Sequence, residues 1–101
     1  MAQLLKKSKS LRIYKCSICE QLGQNSHGFK KKDGTYYVEA HHVEPVTNLK
    51  QGNLSINNLI TVCANHHREL HYENSVVLVN DDKRFVFEID GKKVEVKKIN
   101  I

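Results

Sequence analysis

Apolar positions change rhythm several times along this chain, and each change predicts an element. Leu59-Ile60-Thr61-Val62 is a short unbroken apolar run of the length of a buried strand. After Cys63, the stretch from Ala64 to Tyr72 lacks Gly and Pro and suits a helix. Upstream, Thr35-Tyr36-Tyr37-Val38-Glu39-Ala40 is rich in β-branched and aromatic residues and predicts a strand that delivers the chain to His41-His42, with Pro45 stopping it. The polar, Gly52-containing stretch from Val46 to Asn57 reads as a surface loop. Near the C-terminus, alternating runs at Ser75–Val79, Arg84–Ile89 and Lys93–Ile99 are separated by Asn80-Asp81-Asp82 and by Asp90-Gly91, a strong type I′ hairpin signal. They predict a three-stranded antiparallel meander whose Phe85, Phe87 and Ile89 form one apolar face. Gln21 to Gly34 reads as a loop with a turn at Asp33-Gly34, and His27 within it as a solvent-exposed residue. In the first fourteen residues Leu4, Leu5, Leu11 and Ile13 are too loosely placed to choose between a short helix and an extension.

These elements divide the 101 residues into a basic arm at 1–15, a central core at 16–73 and a meander at 74–101 packed on that core, within one domain. A second core could not bury enough surface to offset its own ordering entropy. The fold class is α+β. Composition adds a metal to the picture, because three Cys and six His accompany a modest 40% hydrophobic content. Three thiols cannot all pair within the chain, and Cys16-x-x-Cys19 has the spacing of a zinc knuckle, which favours a reducing, cytoplasmic setting. No apolar run is long enough to span a membrane, and Leu4-Leu5 gives way at once to Lys6-Lys7, unlike a signal segment.

Charge is uneven. Residues 1–32 carry eight basic side chains against Glu20 alone, a balance of +7, whereas 33–73 sum to −3 and 74–101 to +1. A basic arm beside a His-rich, slightly acidic centre suits a phosphate backbone and a divalent cation respectively, although a Lys-rich solvated segment would look the same from charge alone.

The chemistry concentrates in two ligand sets. His67 and His71 are four apart on the predicted helix and so share a face, while His66 points elsewhere. Cys16-x-x-Cys19 and Cys63-x-x-His66 are knuckle halves of equal spacing, together supplying the four ligands of a closed tetrahedral zinc site. His41, His42, His67 and His71 remain as a second set. Neighbours on a strand face opposite ways, so one of His41 and His42 can join a metal shell while the other is free to act as a base.

The segments Val38-Glu39-Ala40-His41-His42-Val43-Glu44-Pro45, Asn58 to Cys63 and His66-His67-Arg68-Glu69-Leu70-His71 resemble the HNH endonuclease motif in its zinc-knuckle-bearing form. The resemblance covers Cys16 to His71. It implies a ββα-metal core carrying the knuckle and followed by the meander, and a phosphodiester hydrolase acting on DNA, duplex DNA above all, as the cutting domain of a restriction or defence system. His42 would be the general base and His41, His67 and His71 the ligands of one catalytic Mg²⁺, Mn²⁺ or Ni²⁺ ion. Asn58, the middle letter of the motif, would orient the base. Cys16, Cys19, Cys63 and His66 would hold a structural Zn²⁺, with His at position 66 where the family commonly has Cys. Charge adds Lys30, Lys31, Lys32 and Arg68 as candidate nucleic-acid contacts. A non-catalytic, zinc-bearing nucleic-acid-binding module is the competing expectation. A homodimer across the meander is compatible with the pattern but not required by it.

Overall fold

The computed structural model describes residues 2–44 and 55–99. Pro45 and most of the loop expected at Val46–Asn57 lie outside the described residues. In order along the chain come helices α1 (Ala2–Leu11) and α2 (Ser17–Gln21), strand β1 (Glu39–His42), a 3-10 turn (Ile56–Asn58), strand β2 (Leu59–Val62), helix α3 (Ala64–Glu69), and strands β3 (Ser75–Asn80), β4 (Arg84–Ile89) and β5 (Lys92–Lys97). Strands β1 and β2 pair antiparallel, with His41 opposite Ile60 and His42 opposite Leu59. The second sheet is antiparallel in the order β3-β4-β5. The architecture is α+β, as expected.

The apolar run of β2 is buried at all four positions, which is why it reads as continuous rather than alternating. Phe85, Phe87 and Ile89 project from β4 into the same core as Ile18, Ile60 and Val62, joined by Val94 and Val96 of β5. The meander's apolar face therefore covers the back of the β1–β2 hairpin, and its turn has the expected left-handed Asp90 (φ 50°) and Gly91 (φ 78°). Its two edges differ. Charged side chains flank β5, whereas β3 is uncharged and leaves Val76, Val77 and Leu78 exposed.

Three expectations need correction. The strand expected at Thr35–Ala40 begins only at Glu39; Thr35 to Tyr37 instead belong to a small hairpin held by a bridge between Lys30 and Tyr36 and by Tyr37 N–H donating to Phe29 O (2.9 Å). The helix expected to reach Tyr72 ends at Glu69, because the next amides bond three residues back, His71 to Arg68 O and Tyr72 to Glu69 O, tightening the last turn. His27 is half-buried and stacks on Tyr36 at 4.2 Å between ring centroids instead of standing free.

The first fourteen residues resolve in favour of a helix, fixed by the residues just after it. Arg12 donates through one terminal guanidinium nitrogen to Leu59 O (3.1 Å) and Lys97 O (3.1 Å), bridging both sheets. Burial lowers its pKa to about 10. Thr61 Oγ1 donates to Lys15 O (2.6 Å), so the segment entering α2 is tied to β2. No helix among the described residues is long and apolar enough to cross a membrane.

Candidate metal centres and catalytic residues

Two short helices each begin on a cysteine. Cys16 caps α2, its Sγ accepting from Cys19 N–H (3.4 Å), and Cys63 caps α3, its Sγ accepting from His66 N–H (3.4 Å). A capping side chain turns back over the first helical turn, so in each half the cap and the residue three positions on face one point. The halves meet there. His66 Nδ1 lies 3.5 Å from Cys16 Sγ, 3.3 Å from Cys19 Sγ and 3.4 Å from Cys63 Sγ, and the sulfurs of Cys19 and Cys63 are 3.9 Å apart. A tetrahedron with Zn–S of ~2.3 Å and Zn–N of ~2.0 Å has S···N edges of ~3.5 Å and S···S edges of ~3.8 Å. The four donors thus fit a zinc ion, and the expected set is the one the fold brings together. Burial raises the Cys16 thiol and pushes Cys19 up to about 12. A cation among the three sulfurs would reverse that preference by stabilising thiolate.

The second set assembles on the other side of α3. His41 on β1, His67 on α3 and His71 just after it bring their ring centroids within 5.0 to 5.3 Å of one another. Each offers a nitrogen within 4.8 Å of the others, close enough for one ion. His71 lies beyond the regular helix, yet the tightened turn keeps it over His67. His41 is 7% exposed, and burial, followed by His67, His71 and His42, lowers its pKa to about 4. It is therefore neutral near pH 7, with a lone pair available to a cation.

Glu39 is not singled out by sequence reasoning, and it orients this cluster. It stands two residues before His41, hence on the same strand face, and its Oε1 lies 2.8 Å from His67 Nδ1. With Nδ1–H donated to the carboxylate, Nε2 of His67 is left to face the other imidazoles. Tyr37 donates its hydroxyl to the other carboxylate oxygen (2.6 Å), and the bonds from Tyr37 and His67 hold Glu39 below the usual carboxylate range. The two-residue spacing is the signal that could have revealed it.

His42 follows His41 on β1 and does not join the three-histidine cluster, in keeping with the alternation of neighbouring side chains along a strand. It is half-buried, its pKa is lowered by burial, and its Nε2 is enclosed without a hydrogen-bond partner among the described residues. The backbone after it is clamped by Asn58, 6% exposed: Glu44 N–H donates to Asn58 Oδ1 (2.8 Å), Asn58 Nδ2 donates to Glu44 O (3.0 Å), and Val43 N–H donates to Asn58 O (3.0 Å).

A cavity of about 480 Å³ opens beside the cluster, lined by all four of these histidines together with Val43, Leu70, Val76 and Phe87. A smaller one of about 350 Å³ lies between Glu39, His67, His71 and Arg68. Arg68 is therefore beside the cluster, whereas Lys30, Lys31 and Lys32 line neither cavity and stand exposed on the hairpin before β1.

The family model for the HNH endonuclease matches residues 16–73, from the first knuckle cysteine to just beyond His71. The chain is also 41% identical over 58 residues to the type IV methyl-directed restriction enzyme EcoKMcrA of Escherichia coli, a match covering 57% of this chain and 20% of that protein. This chain thus spans only a small part of that relative's length. No solved structure matches it.

Proposed function

Because this chain belongs to the HNH endonuclease family, we propose that it is a metal-dependent nuclease that hydrolyses phosphodiester bonds of DNA and serves as the cutting domain of a restriction or defence system. The observation that carries this reading is the convergence of His41, His67 and His71 beside a cavity that His42 also lines. HNH nucleases use a divalent metal, and His41, His67 and His71 would hold it here. When bound, a Mg²⁺, Mn²⁺ or Ni²⁺ ion supplies Lewis acidity to the phosphate and to the departing 3′ oxygen. Cys16, Cys19, Cys63 and His66 would hold Zn²⁺ as a structural clamp.

The chain's own residues divide the remaining work. His42 accepts a proton from the water that attacks phosphorus. Burial lowers its basicity without a competing hydrogen bond on Nε2, so it stays unprotonated and ready near neutral pH. Asn58 acts as a positioning residue, holding the turn after His42. Glu39 fixes His67, and Arg68 contacts a phosphate at the edge of the smaller cavity. Loss of the bond to the 3′ oxygen leaves a 5′-phosphate and a 3′-hydroxyl. The restriction context draws on the relative, a methyl-directed restriction enzyme.

The test is direct. Purified protein incubated with supercoiled plasmid and Mg²⁺, Mn²⁺ or Ni²⁺ should nick or linearise it, and His42→Ala should keep fold and metal content while lowering the rate by roughly 10²–10⁴-fold. Wild-type turnover by that variant would remove His42 from its role. Failure of the wild-type protein to cut any nucleic acid with any of these metals would leave the zinc-bearing binding module as the reading.

A further inference from the structure

The hairpin at 27–37 precedes the strand that carries Glu39 and His41, and it supplies no residue to either ligand cluster. On it stands a pair of stacked aromatic rings, Phe29 and Tyr37, with centroids 5.0 Å apart and planes only 12° from parallel. Phe29 is 66% exposed and Tyr37 36%. One ring of the stack thus presents apolar surface to solvent. A lone exposed Phe is ordinary on a protein surface, but this one is held in place. A Cβ at Gly28 would come within 2.8 Å of Tyr37 O, so the two arms approach as closely as glycine permits. The turn is closed by Lys31 N–H donating to Thr35 O (2.7 Å) and by Asp33 Oδ1 accepting from Thr35 N–H (2.9 Å) and Oγ1–H (2.7 Å), with Gly34 at φ 89°.

Charge and connection give this surface a direction. Lys30, Lys31 and Lys32 occupy the same turn, all exposed, and among the described residues only Lys31 has an acidic neighbour, Asp33 at 4.0 Å. From the stacked pair the route to the histidine cluster is two hydrogen bonds long, Tyr37 hydroxyl to Glu39 and Glu39 to His67 Nδ1. A strand whose phosphate lies at the cluster would pass this hairpin within a few nucleotides. Aromatic faces accept bases of any sequence, and adjacent lysines track the backbone. In an intact duplex both faces of each interior base are already stacked on neighbours, so an exposed aromatic face selects an unpaired base.

From these observations we infer that the 27–37 hairpin is a docking platform for unpaired nucleic acid, with Phe29 stacking one base and Lys30 and Lys32 contacting flanking phosphates. The inference rests on the nucleic-acid reading of the neighbouring site and names how that site receives its strand: single-stranded, frayed or distorted DNA is held better than a regular duplex.

The chain contains no tryptophan, so Phe29→Trp places a unique fluorophore on the platform. Without added divalent metal, single-stranded oligothymidylate should quench its emission saturably, and a duplex of equal length should quench it much less. By fluorescence anisotropy on the same labelled strand, Phe29→Ala should weaken binding roughly 5- to 100-fold while changing duplex binding by less than about threefold. Lys30→Gln and Lys32→Gln should each lower the salt slope for single strands by about 0.7. Unquenched tryptophan at saturating single strand, equal quenching by duplex, or single-strand binding by Phe29→Ala within about twofold of wild type would each overturn the inference. Cleavage is not the readout, so the two readings fail separately. A protein that binds through Phe29 but never cuts sinks the nuclease and keeps the platform, and a nuclease indifferent to Phe29 does the reverse.

Discussion

Asn58 is a ligand in neither metal cluster, yet its replacement should damage both stability and catalysis. Its carboxamide accepts from Glu44 N–H at 2.8 Å and donates to Glu44 O at 3.0 Å, closing the turn that leaves β1. Asn58→Ala removes both bonds and leaves an amide and a carbonyl without partners. A buried polar group in that state costs ~1–3 kcal/mol. Glu44 is only half-buried, so water recovers part of the loss, and a net cost of about 2 kcal/mol results. For a domain of this size that lowers the melting temperature by roughly 8–16 °C. The catalytic effect has a separate cause. His42 lies two residues before Glu44, and its Nε2 has no hydrogen bond of its own among the described residues, so the backbone sets its aim. A displacement near 1 Å costs about 10²-fold in rate. Thermal unfolding followed by circular dichroism, and plasmid cleavage well below the new midpoint, separate the two effects. Asn58→Asp keeps the acceptor and turns the donor into an oxygen facing Glu44 O, so it should recover only part of the stability. If Asn58→Ala melts within about 2 °C of wild type, or if the folded variant cuts at the wild-type rate, the clamp argument is wrong.

Other perturbations probe the remaining links. Glu39→Ala should weaken divalent-cation binding at the histidine cluster by about 10–100-fold, with Glu39→Gln in between, since a carboxylate on the far nitrogen of a ligand imidazole orients it and raises its basicity; unchanged affinity by titration calorimetry would leave the Glu39–His67 bond without consequence. Purified protein should carry one slowly exchanging zinc that is lost in Cys19→Ser together with a large drop in melting temperature, and Cys19→Ser with full zinc content by elemental analysis would remove that thiol from the set. Metal-free protein should lose stability with acid: in the unfolded chain His41 binds a proton below its ordinary value of 6.5, but the folded protein does not protonate it until about 4. Unfolding is thus progressively favoured as pH falls through that window, by at most about 3–4 kcal/mol from this group. Urea midpoints that stay flat or rise from pH 7 to pH 4 would contradict it.

Much of the fold and both ligand sets are readable in the chain because their signals are local. The β2 run, the Asp90-Gly91 turn and the alternation of Phe85, Phe87 and Ile89 each specify their own geometry, and the structure obeys them. Misplacement of β1 has a physical reason. Thr35 to Tyr37 carry strand-like composition but pair in a small hairpin of their own, while Glu39–His42 acquire strand geometry from pairing with β2, a tertiary partner invisible in their composition. The length of α3 is overestimated for a similar reason, since absence of Gly and Pro permits a helix without stating where it stops. For α1 the sequence leaves two states open; the structure has a helix there that packs on β1 and β2, with Arg12 just after it anchored to Leu59 and Lys97 across 47 and 85 positions. The ligand sets are legible because equal spacings and repeated histidines survive errors of element boundary; Glu39 escapes notice because one carboxylate in a strand looks like any solvated residue.

Single-residue offsets divide the labour of the site. On α3, His66 and His67 are consecutive, so about 100° of helical rotation sends one ring to the sulfurs and the next to the histidine cluster. On β1, His41 and His42 are consecutive, and strand alternation sends one into the cluster and frees the other. The knuckle is then more than a stabiliser. Cys63 caps α3 through its sulfur, its carbonyl accepts the His67 amide at 2.8 Å, and His66 of the same turn joins the three thiols. Whatever fixes Cys63 and His66 fixes the direction of His67, and through Glu39 the alignment of β1 as well. Structural zinc on one side of the helix would thus set the aim of His67 on the other, because the six residues of α3 carry one member of each cluster side by side.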